Sequence, residues 1–157
     1  MKEKIKNYAV SIAIALAVGV FSALLTAGNM DLYSEITKPP LAPPSILFPI
    51  VWTLLYILMG IGAAMIYGEK ASKPDEVRHA LTVYGINLFL NFFWSIIFFN
   101  ARAFLFSFIW LIALWITILI MIIKFYKIKP TAGILQIPYL LWVTFAGYLN
   151  LSIYLIN

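Results

Sequence analysis

Amide and indole side chains recur at helical spacing in two apolar segments of the chain. Asn87, Asn91 and Trp94 follow one another at steps of four and three residues, which places them on one face of a helix. A second face combines the residues Tyr139, Trp142, Ala146 and Asn150. Amides exchange hydrogen bonds and indoles stack, but neither group transfers protons as a general acid or base. The spacing therefore predicts two helix faces that meet, with a chemistry of hydrogen bonding and stacking.

The two amides have two open interpretations. An unpartnered amide is unfavourable in hydrocarbon, so Asn87 and Asn91 should point into the interior of a helix bundle. There they can bond one another, a backbone carbonyl freed near Pro138, or a ligand. In the first interpretation both simply tie helices together, and in the second Asn91 also contacts a ligand beside Trp94.

The tryptophans divide by their depth in the apolar segments. Trp94 and Trp110 lie close to segment ends, where an aromatic belt at the membrane interface explains them as well as ligand contact does. Trp142 lies near the middle of its segment, so its N–H group needs a protein partner or a cavity. Trp52 is intermediate, about six residues into the second segment.

The absence of ionisable residues from the interior of these segments disfavours several classes of function. No Asp, Glu, His or Arg lies in their interior, and Lys124 is near a segment end. Proton- or cation-coupled transport requires such a group. Without cysteine and with His79 as the one histidine, placed in a predicted loop, the chain has too few ligands for a zinc or haem-iron centre. We expect no metal, no required cofactor and no classical catalytic constellation.

The elements that must position these residues are transmembrane helices. The chain is 64% hydrophobic and 11% charged, far from the composition of soluble domains. A helix crosses a bilayer with about 20 apolar residues, and five runs are long enough. We predict an all-α integral membrane protein, a five transmembrane helix bundle forming a single domain over 1–157. The predicted spans are 7–27, 46–67, 80–99, 103–124 and 132–155.

Lysine and arginine predict the orientation. If the N-terminus is cytoplasmic, nine of the eleven basic residues fall on that side and only Lys38 and Arg102 lie opposite. The nine are Lys2, Lys4, Lys6, Lys70, Lys73, Arg78, Lys124, Lys127 and Lys129. Because they occur in short clusters between apolar runs, the net charge of +5 indicates membrane topology and not a nucleic-acid partner. We expect a multi-pass protein of a bacterial cell membrane.

A proline-rich loop, residues 28–45, connects the first two spans on the outer side. Five of the eight prolines lie within the eleven positions from Pro39 to Pro49, and they stiffen the segment. A stiff loop above Trp52, Asn91 and Trp94 can act as a lid over an aromatic cavity. Its ligand should be flat, hydrophobic and large.

Three segments carry a resemblance to a known family. "KPPLAPPSILFPIVWTLLYILMGIG" (38–62), "NLFLNFFWSIIFF" (87–99) and "IPYLLWVTFAGYLN" (137–150) resemble the translocator protein family, also called tryptophan-rich sensory protein or peripheral benzodiazepine receptor. The resemblance covers essentially the whole chain. It implies a five-helix membrane protein, usually a homodimer, that binds porphyrins, sterols and benzodiazepine-type ligands in a pocket under the first loop.

The resemblance also assigns roles to residues. It implies that the ligand-binding residues are Tyr33, Trp52, Asn91, Trp94, Trp142 and Ala146. Some bacterial members degrade protoporphyrin in light and oxygen, and the tryptophans implicated match Trp52 and Trp142. An excited porphyrin generates reactive oxygen itself, so this chemistry needs oxidisable indoles and no acid or base.

Two departures from the family pattern bear on the ligand. Leu41 occupies the lid position where many members have tryptophan, and Tyr154 lacks the arginine that completes a sterol-recognition pattern. The second departure favours a tetrapyrrole over cholesterol. Three functions stay open: porphyrin binding with light-dependent degradation, translocation of porphyrin or sterol-like lipophiles, and a ligand-responsive regulatory subunit.

Overall fold

Five long helices and two short ones make up the protein. The computed structural model describes residues 1–157, which form helices and turns without strands. The long helices are α1 (Lys2–Thr26), α3 (Leu47–Tyr67), α4 (Pro74–Ser95), α5 (Phe104–Ile128) and α7 (Ile137–Ile156), and the short ones are α2 (Leu32–Glu35) and α6 (Pro130–Ile134). With their continuations, the long helices form five segments that are long and apolar enough to cross a membrane. The all-α membrane fold predicted from composition is confirmed.

The helices differ from the predicted spans mainly at their ends. α4 begins at Pro74 and not at residue 80, because proline fits the first turn of a helix and Asp75 and Glu76 there face its positive end. His79 is therefore an exposed helical residue and not part of a loop. A π-helical turn, Ile96–Asn100, continues α4 toward α5.

The two ends of the bundle have different characters. One end, here called the lid end, carries the connection from Ala27 to Ile46 and the turn between α4 and α5. The opposite end, called the basic end, carries the N-terminus, the turn between α3 and α4, and Lys129 between α5 and α6. Lys129 Nζ lies 3.5 Å from Glu69 Oε1 there and joins two connections.

α1 and α3 approach most closely in the half nearer the basic end. Ser11 Oγ donates a hydrogen bond of 2.7 Å to the carbonyl of Gly60. A Cβ atom at Gly60 would lie 2.5 Å from Ile12 Cα, so only glycine permits this approach. Gly19 packs in the same way on the ring of Tyr56, further toward the lid end.

The fifth predicted span is two helices with a joint between them. α6 ends at Ile134 and α7 restarts at Ile137, with Pro138 in its first turn. Gln136, fully buried in the joint, donates from Nε2 to the Leu58 carbonyl of α3 at 3.0 Å. Gly62 leaves the space for this amide, since a Cβ there would collide with it. The joint is thus fixed against α3.

The densest packing lies in the middle and basic half of the bundle. Fully buried side chains there include Met59, Ile66, Ile118, Met121 and Phe125. The lid half contains a cavity instead. The predicted homodimer stays a prediction.

Candidate functional site

A cavity of about 880 Å³ occupies the lid half of the bundle. Its volume lies toward the upper end of the range of about 300–1,000 Å³ typical of small-molecule sites. Walls come from α1, α3, α4, α5 and α7, and the lid segment, residues 30–46, forms the roof. Apolar side chains from these helices that line it include Leu16, Val20, Phe48, Leu111, Leu114, Val143 and Leu149.

The structure brings most of the predicted site residues to this cavity. Those that line it are Tyr33 in the lid, Trp52 on α3, Asn91 and Trp94 on α4, and Ala146 on α7. They come from four separate elements of the chain. Their common location is a finding of the structure, and their roles toward a ligand remain predictions.

Trp142 departs from the prediction, because it does not line the cavity. The α7 residues that do so are Val143, Ala146 and Asn150, spaced three and four apart, and Trp142 lies at the edge of that row, about 40° from Ala146 and about 100° from Val143. Its ring packs edge-on against Phe48 at 5.9 Å. The indole N–H is buried without a hydrogen-bond partner. Trp142 therefore lies behind the cavity wall formed by Phe48.

A chain of buried hydroxyl and amide groups forms the floor of the cavity. The Tyr56 hydroxyl on α3 donates to Asn91 Oδ1 on α4. Asn91 Nδ2 donates to the Tyr139 hydroxyl on α7 at 2.8 Å, and that hydroxyl donates to Asn87 Oδ1 at 3.0 Å. Both amides tie helices together, and Asn91 also lines the cavity; contact of Asn91 with a ligand stays a prediction.

Two polar groups beside this chain lack a protein partner. Asn87 Nδ2 and the Tyr84 hydroxyl are both buried and make no hydrogen bond. Asn87 is 0% exposed, and its amide is only half used by the bond from Tyr139. The floor therefore ends, on its side away from the cavity, in unused hydrogen-bonding capacity.

A second polar group of residues joins α4, α5 and α7 beside the cavity. Asn150 Oδ1 accepts from the Trp94 indole at 3.1 Å and from Ser107 Oγ at 3.0 Å. Asn150 Nδ2 donates to the Phe104 carbonyl at 2.8 Å. These bonds fix the ring of Trp94, which also stacks on Phe98 with centroids 5.4 Å apart.

Trp52 is held by rings. It stacks on Tyr56 with centroids 5.7 Å apart and meets Tyr139 edge-on at 6.2 Å. Trp110, by contrast, donates to the Leu90 carbonyl at 2.7 Å and does not line the cavity. The indoles that line the cavity are thus those of Trp52 on α3 and Trp94 on α4.

The lid is anchored by apolar side chains. Leu32 in α2 is buried against Phe98 and Ile153. Tyr33 packs edge-on against Phe48 at 5.2 Å, and its hydroxyl donates to the Pro43 carbonyl at 2.6 Å. Burial raises the pKa of the Tyr33 phenol, so the hydroxyl remains protonated and keeps this bond. The lid therefore contains a helical turn, α2, and an internal hydrogen bond, neither of which is expected from its proline content alone.

Polar contacts fasten the lid to neighbouring elements on one side. Thr37 N donates to Asn157 Oδ1 at 3.0 Å, and Asn157 Nδ2 returns a bond of 2.9 Å to the Thr37 carbonyl. The Tyr148 hydroxyl donates to the Pro40 carbonyl at 2.6 Å. Leu41 has a φ of 70° and is 82% exposed, so it projects away from the cavity.

The cavity opens where α1 meets the beginning of α3. Its exposed lining residues there include Val20 and Ala23 on α1 and Pro49 and Thr53 on α3. Beyond the close contact of Gly19 with Tyr56, the two helices leave a gap that faces the bilayer. The cavity is therefore accessible laterally, through the gap between α1 and α3.

Tyr56 and Phe48 are lining residues that the sequence analysis did not identify. The sequence does contain a pattern that predicts both positions. Phe48, Trp52 and Tyr56 follow one another at four-residue steps, so Phe48 and Tyr56 share one face of a helix with the predicted site residue Trp52. Tyr139 was placed on the correct face, but its hydroxyl was not predicted to bond the asparagines.

Comparisons with known proteins agree with this architecture. A family model described as the TspO/MBR family matches residues 11–155. "Tryptophan-rich protein TspO" of Chlorobaculum tepidum is 36% identical over 158 residues, covering 100% of this chain and 99% of that protein. "Protein CrtK" of Rhodobacter capsulatus is 31% identical and covers 96% and 92% of the two chains. "Translocator protein" of Bos taurus is 32% identical and covers 84% and 79%.

The floor of the cavity yields a prediction on stability. Tyr139→Phe removes a hydroxyl that serves two buried amides, so the free energy of unfolding should fall by about 1–2 kcal/mol. Tyr84→Phe is the matched control, because its buried hydroxyl has no partner, and it should be neutral or slightly stabilising. Unfolding of both variants in detergent, followed by circular dichroism, gives the comparison. Equal losses in the two variants would contradict the role of the polar chain.

Proposed function

The chain belongs to the TspO/MBR family, and from the cavity it carries we propose that it binds a porphyrin or a similar planar hydrophobic ligand. The observation that carries the proposal is the aromatic cavity of about 880 Å³ between Trp52 and Trp94 under a folded lid. The walls are mostly apolar, and the polar atoms of Tyr56 and Asn91 converge at the floor. This combination is typical of sites that bind a large apolar ring system and orient it by a few hydrogen bonds.

The shape of the wall favours a flat ligand. Indole and phenol rings present broad faces and edges, which attract another aromatic ring in stacked or edge-on geometry. Trp94 is fixed by Asn150 and Trp52 by Tyr56, so neither ring must be ordered when the ligand binds. A wall fixed in advance reduces the entropy lost on binding.

Packing below the floor supports binding over passage through the bundle. Met59, Ile118, Met121 and Phe125 are buried between the floor and the basic end. The name "Translocator protein" belongs to the bovine relative, and "Tryptophan-rich sensory protein" to one from Cereibacter sphaeroides. No feature of this structure independently favours translocation or signalling for the present chain.

We propose in addition that bound porphyrin is degraded in light and oxygen. The excited macrocycle passes energy or an electron to O₂, and an indole in contact with it is the nearest oxidisable protein group. Trp52 lines the cavity, whereas Trp142 lies behind Phe48. The contribution of Trp142 is therefore indirect, through the packing of the wall.

The protein is a multi-pass membrane protein, and we propose that its N-terminus is cytoplasmic. Nine of its eleven basic residues lie toward the basic end, and the lid end carries only Lys38 and Arg102. A bacterial cell membrane retains such clusters on the cytoplasmic side. The lid and the cavity would then face outward.

Filling the cavity tests the binding proposal. Ala146→Trp places a large ring where the structure has open space, so the affinity for protoporphyrin should fall at least about tenfold. Ala113→Trp is the control, because Ala113 is exposed on the outer face of α5 and the change leaves the cavity intact. The measurement is a titration followed by tryptophan quenching, corrected for the added indole. Unchanged affinity in Ala146→Trp would refute the site.

Illumination distinguishes the two tryptophans. At saturating protoporphyrin in air, Trp52→Phe should slow the loss of the Soret band more than Trp142→Phe does, because of these two tryptophans only Trp52 lines the cavity. Samples without oxygen should retain the band. Loss at the wild-type rate in Trp52→Phe would rule out the proposed role of its indole.

Thiol labelling tests the orientation without background, because the chain has no cysteine. Ala101→Cys lies in the turn at the lid end and Ser72→Cys in the turn at the basic end, and both positions are exposed. A maleimide that cannot cross membranes should label Ala101→Cys in intact spheroplasts and Ser72→Cys only after permeabilisation. The reverse pattern would invert the proposed topology.

A further inference from the structure

Charged side chains reach the cavity only from the lid. Among the residues that line it, Lys38 is the one cation and Asp31 the one anion, and both belong to the segment that forms the roof. The helices contribute apolar or neutral side chains. A ligand that combines an apolar ring with ionised groups must therefore leave those groups at the roof, because transfer of an unpaired charge to the apolar interior is costly.

Lys38 is available to such a group. Its Nζ lies 4.8 Å from the centroid of the Tyr33 ring, over the ring face, and no carboxylate lies within 4.0 Å of it. The nearby acid Glu35 is bonded instead to Arg102, at 3.4 Å. The second basic residue of the lid end is thus already paired, and Lys38 is not.

From this arrangement we propose that Lys38 is a specificity-determining residue that selects ligands carrying a carboxylate and orients that carboxylate toward the lid. The inference rests on the proposed porphyrin binding and names the end of the ligand that faces outward. The ring of Tyr33 holds the ammonium group at the roof, which restricts its motion before the ligand arrives. Asp31 has the opposite effect, because its negative charge, which also lies in the roof, repels a ligand carboxylate.

Two further features agree with this role. A tyrosine phenol is neutral at neutral pH and burial raises the pKa of Tyr33 further, so the ring beneath Lys38 carries no charge that would cancel that of the ammonium group. The hydroxyl of Tyr33 is also directed to the Pro43 carbonyl and not to the ammonium group. The charge of Lys38 therefore remains available at the roof of the cavity.

A pair of ligands with the same macrocycle tests the proposal. Protoporphyrin carries two carboxylates, and its dimethyl ester carries none, so the ratio of their affinities isolates the charge. Lys38→Gln should lower the acid-to-ester ratio about three- to fivefold, the effect of one solvent-accessible ion pair, while the ester affinity stays unchanged. Asp31→Asn should raise the ratio, and added salt should lower it in the wild type.

The design separates failure of this inference from failure of the proposed function. Titrations are made in a nonionic detergent, and Lys4→Gln, which removes a lysine at the opposite end of the bundle, serves as the matched control and should keep the wild-type ratio. Ester binding reports that each variant is folded. If both ligands bind and Lys38→Gln leaves the ratio unchanged, the selectivity proposal is wrong and porphyrin binding stands. If neither ligand binds the wild type, both proposals fall.

Discussion

Buried amides in an apolar bundle must be hydrogen-bonded, and this requirement organises the structure. Asn91 satisfies it with the hydroxyls of Tyr56 and Tyr139, and Asn87 satisfies it in part, through Oδ1 alone, which joins α3, α4 and α7 at one level. Little hydrophobic force acts between helices in lipid, so directional bonds and close contacts of small residues must hold them in register. The polar chain therefore fixes the height of the cavity floor, and the lid half above it can remain open without loss of the fold.

The bundle is divided along its length by this floor. Toward the basic end, Gly60 and Gly62 admit close contacts with α1 and with Gln136, and the interior is filled by side chains. Toward the lid end, large rings stand apart and are held by hydrogen bonds or by other rings, as Trp94 is by Asn150. A packed half supplies the stability that an open half lacks, which allows one small chain to carry a large cavity.

Composition and spacing predict a considerable part of this arrangement. The apolar runs define the five membrane segments, and helical spacing brings Asn91, Trp94 and Ala146 to one place. Spacing alone does not fix the rotation of a helix: Trp142 and Val143 both fit a row with Ala146, and Val143 is the one that lines the cavity. Nor does it identify bonding partners: the hydroxyl of Tyr139 could face any neighbour until the packing of three helices is known. Hydrophobicity also does not locate the start of α4. The apolar span begins at residue 80, but the helix begins at Pro74, because Asp75 and Glu76 stabilise its first turn.

The attachment of the lid is unequal on its two sides. Apart from the turn that leads into α3, its hydrogen bonds to the rest of the chain end on α7 and on the α4–α5 turn, through Tyr148, Asn157 and Arg102. None of these bonds reaches α1, the helix beside the opening. The roof is thus held by hydrogen bonds to neighbouring elements along the edge near α7, and has none along the edge near α1. Movement of the edge beside α1 would break none of these hydrogen bonds.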